Sequence, residues 1–183
     1  SVSMDTEGID PGHITYGGDV LVTSGVWTTV QGLVRYGMVD KAREIIWKTL
    51  EMLGQPGPSS AYSYHSVTGE PNMDRHTFCS QSAIMVDLFV QYVIGLIPRE
   101  DDIIEVWPFA LPTEWDHVEF GPFVWRGDVN LTIVWDRAEG YTIKAGESVF
   151  TVKEPRHLWL GLDMDDSLIE LANPAVYGEP VMA

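Results

Sequence analysis

The chain has 183 residues, 45% of them hydrophobic, which suits one or two globular units and argues against disorder. Eleven basic residues against 27 acidic ones give a net charge of −16, with no basic run, so nucleic acid and anionic lipid are excluded as partners. The lone Cys79 rules out an internal disulfide framework and a multi-cysteine zinc site.

Residues 1–19 carry five glycines and prolines among few bulky apolar residues and read as an irregular loop. The N-terminus has neither a basic region nor an apolar core, so no secretory leader is expected there, and the compartment stays open. From Val20 the pattern tightens. Val26, Val30, Leu33 and Val34 recur at helical spacing, with Trp27 and Gln31 four apart on a neighbouring face, and Gly37 supplies a stop. A second helix follows after a few residues. Ala42, Ile45, Ile46, Thr49, Leu50 and Leu53 form its apolar stripe, and Lys41, Arg43, Glu44 and Lys48 its water side. The short link implies an antiparallel hairpin.

Residues 54–77 show no period, and loops of that length in compact domains are often functional. The loop opens onto the most apolar stretch of the chain, Ser82–Ile97, read as a helix of about residues 80–96 stopped by Pro98. Only Asp87, Gln91 and Gly95 interrupt Ile84–Ile97, so such a helix is expected to be buried on most sides. The run is too short, and too interrupted, for a membrane span of about 18 residues or more.

After Pro98 the texture becomes β-like. Ile103–Trp107 is a short apolar run, and Val129, Leu131, Ile133 and Trp135 alternate with Asn130, Thr132 and Val134. Tyr141–Ala145, Glu147–Lys153 and His157–Leu162 follow with turns between them, which suggests an antiparallel sandwich. The remainder, 163–183, reads as a tail. These boundaries give a helical segment (1–98), a β-domain (99–162) and the tail, an α+β arrangement without internal repeats.

Within the long loop, Glu70 and Asp74 are close enough to share one site. Paired carboxylates can divide general acid and base work, although two solvated loop acids are the plainer account of them. His65 and His76 flank them, but the spacing matches no metal pattern, so no metal and no cofactor is expected. Trp27 and Gln31 could line a pocket, the indole stacking on a sugar face while the amide reads hydroxyls, or could simply make an interhelical contact.

Several of these stretches carry a resemblance. Ser24-Gly-Val-Trp27, with Gln31-Gly-Leu-Val-Arg-Tyr-Gly37, resembles the "G-x-W … GL-x-x-YG" stretch of (α/α)6-barrel glycoside hydrolases, nearest to family 63 glucosidases and related trehalase-like or debranching-type enzymes. Tyr64-His-Ser-Val-Thr-Gly-Glu-Pro71 resembles their "ENYNPxTGEP" loop, and Ser82-Ala-Ile-Met-Val-Asp-Leu-Phe89 their final barrel helix. Gly95-Leu-Ile-Pro98, Trp107-Pro and Trp125–Trp135 are similar to the strands that follow it. The likeness covers about residues 17–136 in order.

The resemblance implies the closing helices of an (α/α)6 barrel followed by a small antiparallel β-sandwich domain, within a glucosidase-like, inverting enzyme. It places Trp27, Gln31, Tyr62, Tyr64, His65 and His76 at the sugar site. The partners it implies are a carbohydrate substrate and either the remainder of the same polypeptide or a partner chain that completes the barrel. In the family a glutamate, the general base, stands two positions before the tyrosine matched by Tyr64, and here that position is Tyr62. Either the base has moved, with Glu70 the nearest candidate, or the relative has lost its activity. The alternatives are a non-catalytic carbohydrate-binding or structural module and an interaction subunit.

Overall fold

In the computed structural model the described residues are 19–21, 24–54, 63–65 and 79–172. The chain divides into two compact units, Ser1–Leu88 with Tyr177–Ala183, and Phe89–Val176. Both helix and antiparallel sheet are present, as the alternating periods of the sequence predict.

In the first unit, β1 (Asp19–Leu21) pairs antiparallel with β2 (Ser63–His65), and three helices follow the chain: α1 (Ser24–Arg35), α2 (Val39–Gly54) and α3 (Cys79–Leu88). The α1–α2 junction is set by glycine. Gly37 adopts φ 71°, and the bonds Gly37 N–H to Val34 O (3.0 Å) and Met38 N–H to Leu33 O (2.8 Å) form the paired cap that ends a helix on a left-handed residue. The chain re-enters helix at once, Ala42 N–H bonding Met38 O at 3.0 Å. Val30, Val34, Ala42, Ile46 and Thr49 are buried, the stripes expected from their spacing. The opposite face of α2 carries exposed pairs, Lys41–Glu44 (2.7 Å), Lys48–Glu44 (2.6 Å) and Arg43–Asp40 (3.0 Å).

The apolar segment does not stay one α-helix to residue 96. After α3, Phe89–Ile94 winds as a π-helix, and Leu96–Ile97 is already strand β3. Gly95 makes the turn: its N–H bonds Val90 O at 3.0 Å, and its φ is 90°. A Cβ at this position would lie 2.4 Å from Pro108 N, so only glycine fits. Leu88 and Val93 are fully buried, whereas Val86 is 55% exposed in this chain.

The second unit holds two four-stranded antiparallel sheets. One has the order β10 (Leu168–Glu170), β9 (Leu158–Leu162), β4 (Ile104–Val106), β3; the other runs β5 (His117–Arg126), β6 (Val129–Asp136), β7 (Gly140–Ala145), β8 (Ser148–Val152). Register in the second sheet stacks inward side chains in three rows across the strands: Val118–Trp135–Tyr141–Val152, Phe120–Ile133–Ile143–Phe150 and Phe123–Leu131–Ala145–Ser148. Leu131, Ile133 and Trp135 are buried as their alternation predicts, while Val129 is half-buried and Val134 is buried on the other side. Strand β5 keeps Phe120 and Phe123 on one face by inserting Gly121-Pro122 as an irregularity between them. Residues 168–170, assigned to a tail by the sequence, extend the first sheet through the pairs Leu168–Leu162 and Glu170–Leu160.

The phenol of Tyr141, buried among these rows, donates to Ile94 O at 2.5 Å, tying the second sheet to the end of the π-helix. Burial pushes the Tyr141 hydroxyl well up, so it stays a donor. Among the described residues, no helix is long and apolar enough to cross a membrane, and no group of three or more His, Cys, Asp or Glu is arranged to hold a metal ion.

Candidate functional site

Of the residues placed at a sugar site, Trp27 and Gln31 lie on α1, four apart and both half-buried, so they do share one side of that helix. Tyr64 and His65 sit on β2, in register with Val20 and Asp19 respectively, which brings the middle of the long loop beside strand β1. Tyr62, Glu70, Asp74 and His76 lie outside the described residues.

A cluster that the sequence reading did not single out stands on the first sheet of the second unit. Alternation along β4 sends Ile104 and Val106 to the core and Glu105 to the opposite face, with Trp107 two residues further on. In β9, Leu158 and Leu160 are buried, Trp159 is paired in register with Glu105, and His157, the residue before the strand, also reaches Glu105. Glu105 is 2% exposed. His157 Nε2 lies 2.8 Å from its Oε1, and Arg99 Nη1 donates to its Oε2 at 2.6 Å.

Arg99 also grips Asp101 through two bonds, Nε to Oδ1 at 2.7 Å and Nη2 to Oδ2 at 2.5 Å, and its guanidinium lies 4.4 Å from the centre of the Trp159 ring. Trp107 stacks on the His157 imidazole, with centroids 4.8 Å apart and planes 11° from parallel. Tilted contacts continue from Trp107 to Phe109 (5.2 Å) and from Phe109 to Tyr92 on the π-helix (5.3 Å).

Burial pushes the Glu105 carboxyl up, but the hydrogen bonds from His157 and Arg99 outweigh it and hold the group below the ordinary glutamate value. The indole N–H of Trp159 is buried without a hydrogen-bond partner. Hydrogen bonding to Arg99 lowers Asp101 to about 2.

Both oxygens of Glu105 are taken, and the side chain has almost no contact with water, so the carboxylate has no access to a substrate. What the arrangement does is bind the 98–103 segment, β4 and β9 together through one buried charge. One clue in the sequence pointed to it: Glu105 is the single charge in the apolar run Ile103–Trp107.

No family profile and no curated protein matches the chain. Among solved structures, a chain described as a sialidase matches with a TM-score of 0.50 and 23% identity, over 65% of this chain and 12% of that one. At that identity the likeness shows a shared fold alone, and it spans a small part of the longer protein.

Proposed function

We propose that this chain is a C-terminal portion of an inverting, glucosidase-like glycoside hydrolase. Its helices are the closing part of an (α/α)6 barrel and contribute to the sugar site, and its two-sheet unit is the accessory β-sandwich domain. The observation that carries this reading is the order of the motifs: the Trp27–Gly37 stretch, the Tyr64–Pro71 loop, the apolar helix and the Trp125–Trp135 strand succeed one another as in that enzyme class. The α1–α2 hairpin, the half-buried Trp27 and Gln31, and the fold shared with part of a protein described as a sialidase support it. The 55% exposure of Val86, in a segment otherwise apolar, fits a helix that further barrel helices would cover.

In such a reaction one carboxylic acid protonates the leaving oxygen while a second carboxylate activates water from the opposite face, the two standing roughly 6.5–9.5 Å apart. Glu70 is the base, Tyr64, His65 and His76 line the sugar, and the acid comes from outside this chain. The test is turnover by the complete gene product. Replacing Glu70 by Gln preserves shape and removes the base, so hydrolysis falls by about a hundredfold or more while sugar binding survives. Unchanged turnover would remove Glu70 from the reaction.

Tyr62, standing where the family carries its glutamate, favours a second reading, a carbohydrate-binding module without catalysis. Under that reading the complete protein binds sugars without hydrolysing them, and Tyr62→Glu confers activity.

A further inference from the structure

At one end of the second unit, the turn joining β5 to β6 and the loop joining β9 to β10 border an open cavity of about 710 Å³. Beside it is a smaller one of about 430 Å³, and the two share a wall made by Val129, Leu162 and Asp166. Both volumes fall in the range of small-ligand sites. We propose that this groove binds neutral oligosaccharides, with Trp125 as its stacking platform. The proposal goes beyond the reading above, because it assigns a site to residues 102–171 alone.

The position of Trp125 is the first support. Strand β5 loses register with β6 between Val124 and Arg126, so Trp125 is the residue left unpaired in the irregularity. The bulge leaves the half-buried Trp125 without a cross-strand partner, and the residue lines the larger cavity. A large aromatic at the mouth of a cavity offers a flat apolar face with a polar edge, which suits the C–H face of a pyranose.

The polar lining is the second support. Asp128 and Asp166 join Trp125 at the larger cavity, and Ser148, Ser167 and Glu147 line the smaller. Carboxylates and hydroxyls are suitable acceptors for sugar hydroxyl groups. The wall is held firm: Asp163 Oδ1 accepts from the N–H groups of Asp165 and Ser167, both at 2.9 Å.

Charge then selects among sugars. The cation lining the larger cavity, Arg126, is paired with Asp102, while carboxylates recur along both walls. A ligand bearing carboxylate, sulfate or phosphate would meet like charge in a protein already at −16. The groove therefore takes uncharged sugars and turns away sialylated or uronic ones. A metal ion is a poorer occupant, since these acids form no ligand cluster.

The test is calorimetric titration of the 183-residue chain with neutral gluco-, manno- and galacto-oligosaccharides of three to six units, and with sialylated and uronic acid counterparts. At least one neutral series should bind, and its acidic counterpart should bind tenfold or more weakly, about the effect of one unfavourable charge contact. Trp125→Ala should weaken binding by about tenfold, Trp125→Phe by less, and Asp128→Asn by severalfold. Circular dichroism checks that each variant folds; should Trp125→Ala fail to, Trp125→Phe and Asp128→Asn carry the test. The proposal is overturned if no neutral oligosaccharide binds at about 10 mM, if acidic sugars bind as well as neutral ones, or if the folded Trp125 and Asp128 variants leave affinity unchanged. Loss of binding in Trp27→Ala with both of those intact would move the sugar to the helical unit and likewise end the proposal.

Discussion

Replacing Glu105 by Ala tests whether the second unit is organised around one buried charge. The carboxylate is 2% exposed and bonded at 2.6 Å by Arg99 and 2.8 Å by His157. Removing one member of a buried ionic group costs about 3–5 kcal/mol when the others are stranded. Here the stranding is incomplete: Arg99 keeps Asp101 and is 22% exposed. A loss of about 2–4 kcal/mol at neutral pH is therefore expected, and about 1–2 kcal/mol for Glu105→Gln, which keeps the shape but not the charge. Guanidinium unfolding followed by tryptophan fluorescence suits the measurement, because five of the seven tryptophans lie in the second unit. The pH dependence gives an independent check. An acid held below its ordinary value contributes stability that is complete above that value, near 4.5, and is lost as pH falls through the lowered one. The native protein should thus lose stability on acidification more steeply than Glu105→Gln, and the two should converge at low pH. A cost below about 1 kcal/mol for Glu105→Ala, with parallel pH profiles, would refute the reasoning.

Other expectations follow from the same packing. Tyr141→Phe removes the 2.5 Å bond to Ile94 O and leaves a buried carbonyl unpaired, so unfolding should show a loss of about 1–2 kcal/mol with little change in the denaturant slope. Gly95→Ala drives a Cβ to 2.4 Å from the Pro108 backbone at φ 90°, which should cost about 3 kcal/mol or more. Gly127→Ala, at φ 52° with open space around it, should cost only about 1 kcal/mol, and equal costs for the two would show that crowding at Pro108 is not what fixes Gly95. A double-mutant cycle between Glu105 and His157 should give a coupling of about 1 kcal/mol or more.

Local pattern made much of this fold legible. The stripes of α1 and α2 bury Val30, Val34, Ala42, Ile46 and Thr49 and leave Val26, Leu33, Ile45 and Leu50 half-buried, Gly37 closes α1 because a left-handed residue was needed there, and Leu131, Ile133 and Trp135 face the core at period two. Where pattern failed, the cause is specific. The π-helix at 89–94 is invisible in an apolar run, since widening one turn changes no residue's polarity. Strand β5 carries Gly121-Pro122 in its middle, a pair that reads as punctuation until a bulge is allowed for. Strand β10 is three residues long and is preceded by an Asp-rich turn, so its apolar content was too small to register; pairing with β9 is what makes it a strand.

The site residues divide along the same line. Trp27 and Gln31 could be placed on one helix side because four-residue spacing is a local fact, and the register of Tyr64 with Val20 adds the non-local one. The Glu105 cluster is the opposite case. Its histidine is 52 residues away, and its tryptophan partners are meaningful only once β4 and β9 are known to be neighbours. Read alone, Glu105 is a charge interrupting an apolar run and argues against burial; read in register, it has a guanidinium and an imidazole waiting for it. The groove at Trp125 follows the same logic, since a residue that looks like core material in sequence loses its cross-strand partner through a one-residue slip in pairing and lines a cavity. Binding surfaces of this kind are written in strand register, and register is the part of a sheet that composition and periodicity leave undetermined when a strand is interrupted in its middle.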